Sequence, residues 1–124
     1  MPRTGAALPA SSLVGAHDTL VGHLAEEGTR TVVVLRGEAD FSTTQALSDI
    51  LARGISAGDG DVVIDLGSLE FIDTGAMRVL VAAQQRLQRR GRKLTLRSPS
   101  SVAIRVLEVF GLALMVETLQ ETTP

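Results

Sequence analysis

The chain has no cysteine, tryptophan or tyrosine, and its only aromatics are Phe41, Phe71 and Phe110. Without cysteine there is no disulfide scaffold and no thiolate metal site. The absence is compatible with a reducing compartment, and a cytoplasmic placement is expected. With aromatics at 2%, the stacking platforms that hold single-stranded nucleic acid are missing. A net charge of -2 provides no overall field towards nucleic acid or anionic lipid, so no nucleic-acid partner is expected. The apolar runs are too short and too interrupted to span a bilayer, and direct membrane insertion is not expected. The opening "MPRTGAALPASSLVGAH" carries one positive charge and no long apolar stretch. It reads as a flexible leader over residues 1–17, not a signal peptide.

What is present is a core. Hydrophobic residues make up 44% of 124, enough for one domain built from Val, Leu, Ile, Ala and Met. Thr19–Ala25 and the β-branched run "TVVVL" at Thr31–Leu35 read as a hairpin turning at Glu26-Glu27-Gly28. Gly37-Glu38-Ala39-Asp40 breaks the pattern. Ser42 stands three residues before Gln45, a capping-box spacing, and Ala46, Leu47, Ile50 and Leu51 follow on one helical face. Val62–Leu66 is mostly apolar, as a strand covered on both faces should be.

Gly75–Arg90 is helical in pattern, with Ala76, Leu80, Ala83 and Leu87 in a stripe widened by Met77 and Val81. Lys93–Arg97 alternates as a strand. Ser98-Pro99-Ser100-Ser101 opens a further helix with apolar positions Val102, Val106, Val109 and Phe110, closed by Gly111-Leu112. Ala113–Thr118 reads as a short last strand and 120–124 as a tail. The order β-β-α-β-α-β-α-β predicts an α/β fold, a mixed and largely parallel sheet with helices packed against it.

The chemistry concentrates at Asp73-Thr74-Gly75, where a strand becomes a helix. Two readings share the same physics. Thr74 or Asp73 can cap the free amides of the helix. Alternatively, a phosphate on Thr74 would sit at the positive helix end and bring about -1.5 to -2 charge units to the surface beside Asp73 and Glu70. Catalysis lacks its companions. His17 and His23 lie far from Thr74 in sequence, and a threonine nucleophile needs an adjacent base. Asp65 and Asp73 form an acid/base pair only if they share a cleft. No glycine-rich phosphate loop with a correctly placed lysine exists, so no cofactor, no metal and no enzyme activity are expected. From Thr74 to Leu107 there are eight cations and no acid, whereas Glu38–Asp73 is mainly acidic. That asymmetry suits either a sided surface that orients a partner or ordinary solvated helix ends.

Four stretches together resemble the STAS domain family of anti-sigma factor antagonists: "VVVLRGEADFSTTQAL", "VVIDLGSLEFIDTGAMRVL", "GRKLTLRSPS" and "VAIRVLEVFGLALMVE". The similarity covers residues 18–119. The family's junction usually reads Asp, Ser, Ser or Thr, Gly, Leu. Here Thr74 falls on the serine that partner kinases phosphorylate, Gly75 replaces the second hydroxyl residue, Ala76 stands at the usual glycine and Met77 at the leucine.

The resemblance implies an antagonist that binds an anti-sigma factor of GHKL-type kinase fold and thereby releases a sigma factor. Phosphorylation of Thr74 would end that complex, and a separate phosphatase would restore it. The implied docking surface comprises Asp40, Ser42, Thr43, Asp73, Gly75, Ala76, Met77 and Arg78. The other roles known for such domains are a non-switching scaffold and a cytosolic subunit of a membrane lipid-transport ATPase. Weak self-association is left open.

Overall fold

The computed structural model describes residues 13–17, 19–112 and 116. Five strands, β1 (Leu13–His17), β2 (Leu20–Glu27), β3 (Arg30–Ala39), β4 (Val62–Ile72) and β5 (Leu94–Arg97), lie in that order across one sheet. β1, β2 and β3 pair antiparallel; β3, β4 and β5 pair parallel. Each parallel connection carries a helix: α1 (Thr44–Ser56) after β3 and α2 (Thr74–Gln88) after β4. A third helix, α3 (Ser101–Val109), follows β5, and Val116 then bridges in parallel to Leu96. The expected mixed sheet and hairpin are both present. The rest of the expected last strand, Ala113–Thr118, lies outside the described residues, as do the tail and residues 1–12 of the leader.

Strand alternation builds a one-sided core. Leu20, Val33, Leu35, Ile64, Leu66 and Leu96 occupy one face of the sheet and join a single cluster with Leu47, Ile50, Leu80, Leu87 and Leu107 of the helices. Val32 and Val63 on the other face are also buried, yet stand outside that cluster. There Arg97 reaches across the sheet to Glu27, with N–O distances of 2.9 and 3.1 Å, and Arg30 also pairs with Glu27. The Arg97 hydrogen bond is the main reason the Glu27 carboxyl titrates below its usual range.

Three expectations need correction. Leu13–His17 is a paired edge strand, so the sheet starts inside the segment read as leader. Its small residues hide the pattern, because a Cβ at Gly15 or Gly22 would stand 2.7 or 2.6 Å from Ile50, which packs α1 down onto β1 and β2. Next, the strand read as Val62–Leu66 continues to Ile72, and two register shifts, each with an extra residue on β4, keep it paired with β3 up to the helix junction. Finally, α3 turns Ala103 and Leu107 inward; of the expected apolar positions, Val106 and Phe110 pack partly buried against the core, while Val102 and Val109 are exposed.

Arg92 has a structural role that its place in the cationic run conceals. Its guanidinium donates to the carbonyls of Ile55, Gly58 and Gly60, at 3.1, 2.9 and 2.8 Å, and ties the end of α1 to the loop before β4. Three charge-assisted bonds to carbonyls at and beyond a helix end are a substantial contact. Arg92→Met is therefore expected to destabilise the fold by about 2 kcal/mol, read as a lower urea midpoint with an unchanged denaturant slope.

Candidate functional site

The site begins at a turn that only glycine can make. Gly37 has φ +100°, and a Cβ there would stand 1.9 Å from the Thr19 carbonyl oxygen. This close approach lets the Glu38 amide donate to Thr19 O at 2.7 Å. The chain then leaves β3 through Asp40, whose Oδ1 accepts from the Ser42 amide at 2.9 Å and the Ser42 hydroxyl at 2.7 Å. Thr43 Oγ1 accepts from the Asp40 amide at 2.9 Å and directs its own proton at the Glu38 and Asp40 carbonyls. The reciprocal cap is thus Asp40 with Thr43, not Ser42 with Gln45. A 3-10 turn, Phe41–Thr43, precedes α1, and a carboxylate is a stronger acceptor than a hydroxyl. Gln45 donates instead to Asp49 at 3.0 Å.

The strand-to-helix junction lies against this turn. Ala39 and Ile72 are register partners, and the Asp73 amide donates to Ala39 O at 3.0 Å. Asp73 is extended, and its Oδ1 accepts from the Ala76 amide at 3.0 Å as the N-cap of α2. Thr74 is the first residue of that helix and is exposed. Its hydroxyl has no hydrogen-bond partner among the described residues. The capping role open to either residue therefore belongs to Asp73.

The expected docking residues divide by exposure. Ser42, Thr74 and Arg78 are exposed, and Asp40, Asp73 and Gly75 are partly so. Thr43, Ala76 and Met77 are buried, at 1%, 0% and 0% exposure, and shape the site from behind. A Cβ at Gly75 would meet Asp73 Oδ1 at 3.4 Å and Thr44 Oγ1 at 3.7 Å, ordinary contacts that leave room for a serine.

Sequence reasoning passed over Phe41 and Phe71, which are 84% and 52% exposed beside these motifs. Phenylalanine flanking a turn and a junction in so aromatic-poor a chain was the available signal. Phe71 borders a cleft of about 280 Å³ with Leu66, Leu69 and the start of α3. A second groove, of about 410 Å³, runs between α1 and α2 from Gly75 to Arg86.

Asp65 and Asp73 do not meet. Asp65 accepts from the Gly67 amide on β4 at 2.8 Å, and the seven strand residues between the two acids hold their backbones about 25 Å apart. Among the described residues, no group of three or more His, Asp or Glu lies close enough to hold a metal, and no helix is long and apolar enough to cross a membrane.

The family described as "Mlab, STAS domain" matches residues 23–117. The chain therefore belongs to the STAS domain family. An anti-sigma factor antagonist from Mycobacterium paratuberculosis is similar in structure at TM-score 0.72 and 22% identity, over 86% of this chain and 93% of that one. The anti-sigma factor antagonist SpoIIAA in its unphosphorylated form is similar at TM-score 0.67 and 19% identity, over 82% and 91%. The Bacillus cell fate determinant SpoIIAA in its phosphorylated form is similar at TM-score 0.62 and 18% identity, over 82% and 95%. No curated protein matches the chain.

Two outcomes follow from the local geometry. Asp73→Ala removes the α2 cap and is expected to cost about 1 kcal/mol, whereas Thr74→Ala should change stability by less than about 0.5 kcal/mol, both read by urea denaturation. The Asp40 carboxyl is held below its usual range, first by the Ser42 hydroxyl and then by the Ser42 and Thr43 amides. The turn gains stability from the charged carboxylate above the ordinary aspartate value near about 3.9 and loses it as pH falls through the lower folded value. A carboxyl-carbon NMR titration should give Asp40 a midpoint below that of Asp40 in the Ser42→Ala protein.

Proposed function

We propose that this chain is an anti-sigma factor antagonist whose complex with an anti-sigma factor ends when Thr74 is phosphorylated. The observation that carries this reading is the Thr74 hydroxyl: exposed, without a hydrogen-bond partner among the described residues, and placed on the first turn of α2. A modification there costs the fold no bond. The positive end of α2 favours the added phosphate, while a docked partner experiences a change of about -1.5 to -2 charge units and added bulk. Small distortion and large electrostatic change are the properties a binding switch needs.

The relatives support the same reading. Two similar structures are of proteins named anti-sigma factor antagonists, and SpoIIAA is seen both with and without its phosphate. By that likeness the partner here is an anti-sigma factor with a GHKL-type kinase fold, and a phosphatase acting on phospho-Thr74 resets the switch. Thr74 is then a substrate, and the chain contributes no catalytic residue. Asp40, Ser42, Gly75 and Arg78 form the contact surface with Asp73 beside the acceptor, and exposed Phe41 supplies the apolar contact that interface centres favour. Thr43, Ala76 and Met77 hold that surface in place.

Intact-mass spectrometry tests the switch, after incubation with ATP and each GHKL-type kinase encoded in the same genome. One added phosphate, absent from the Thr74→Ala protein, is the expected outcome. No addition by kinases shown to be active would overturn the switch and leave a non-switching scaffold or a subunit of a membrane lipid-transport ATPase.

A further inference from the structure

We infer that the groove between α1 and α2 receives an acidic helix of the partner protein, and that a phosphate on Thr74 closes this site by capturing Arg78. The inference deepens the switch proposed above and rests on Thr74 being its acceptor. The groove is lined largely by small side chains, Ser48, Gly75, Ala82 and Ala83 among them, together with Arg78 and Arg86 and with no acidic residue. Other cations of the same run are committed elsewhere: Arg92 to three carbonyls and Arg97 to Glu27. Arg78 and Arg86 are exposed, and neither forms an ion pair or side-chain hydrogen bond among the described residues. Two uncommitted guanidinium groups along a trough of small residues are complementary to carboxylates on a closely approaching helix.

The spacing specifies that helix further. Arg78 and Arg86 are eight residues apart on α2, about 12 Å along its axis. A partner helix aligned with the groove would meet both through acidic residues about two turns apart. Gly75, without a side chain, keeps the end of the trough nearest Thr74 open.

Thr74 lies four residues before Arg78, the helical spacing and the acid-before-base order that favour an ion pair. A phosphate at Thr74 would offer Arg78 a doubly charged acceptor on its own helix, and guanidinium binds phosphate with two parallel bonds. Phosphorylation then removes one anchor of the partner and places negative charge at the mouth of the groove. Arg86, three turns from Thr74, stays free but is insufficient alone.

The test installs phosphothreonine at position 74 by genetic-code expansion, so no kinase is needed. The arginine Nε–H signals are followed by NMR. The probe is a helical peptide of about four turns with glutamates two turns apart, alongside a control in which glutamine replaces them. The glutamate peptide should shift Arg78 and Arg86 in the unphosphorylated protein, and the control should not. Phosphorylation should move Arg78 but not Arg86 in the absence of peptide, and weaken peptide binding about tenfold or more. In Arg78→Gln, peptide binding should already be weak, and phosphorylation should reduce it less than about threefold.

An Arg78 signal indifferent to the phosphate overturns the capture. Equal binding of both peptides, or shifts confined to residues outside the groove, overturns the acidic-helix assignment. Failure of every kinase to modify Thr74 would instead overturn the proposed switch, while the NMR result would stand on its own.

Discussion

The hydrogen bond from the Asp73 amide to the Ala39 carbonyl is the contact on which the site depends. It closes the last step of the parallel β3–β4 ladder, where Ala39 faces Ile72. A parallel pair can be joined only through a crossover, so α1 and the loop before β4 must fit between these two strands. Once they do, the turn at Asp40 and the junction at Thr74 emerge side by side from the same end of the sheet. Gly37 makes the approach possible by letting the chain cross the Thr19 carbonyl at a distance no side chain would tolerate.

Within the junction, the bonds that hold the fold fall on Asp73 and not on the hydroxyl beside it. Asp73 spends its carboxylate on the Ala76 amide and its own amide on Ala39, and so leaves the next hydroxyl without structural duty. Thr43, Ala76 and Met77 are buried beneath. The cations divide in the same manner. Arg92 ties α1 to the loop before β4 and Arg97 lies across the sheet, so the basic run of the sequence is neither one binding patch nor one set of solvated helix ends. The part facing the α1–α2 groove is Arg78 and Arg86.

Much of this architecture was legible locally. The β-branched run at Thr31–Leu35 and the stripe Ala76, Leu80, Ala83 and Leu87 each carry their own periodicity, and both emerge as expected. Asp73-Thr74-Gly75 was recognisable as a strand-to-helix junction. What escaped is instructive. β1 contains glycine where Ile50 of another element needs space, so its pattern makes sense only with α1 in place. The cap at Asp40 was missed because a 3-10 turn shifts the helix start by two residues. The second half of β4 is exposed and lacks the apolar signature of its first half.

The amino-acid sequence alone determined most of the strands and helices, their mixed pairing, and the presence of an acid and a hydroxyl at one helix start, because these follow from periodicity and short-range backbone chemistry. Only the tertiary structure decided which of the two caps the helix, which of the expected docking residues reach solvent, and which arginines are uncommitted among the described residues. Those outcomes depend on hydrogen bonds and packing between residues up to 70 positions apart, as in the Arg97 contact to Glu27. No local pattern records such contacts, since each partner looks ordinary until the sheet brings it to the other.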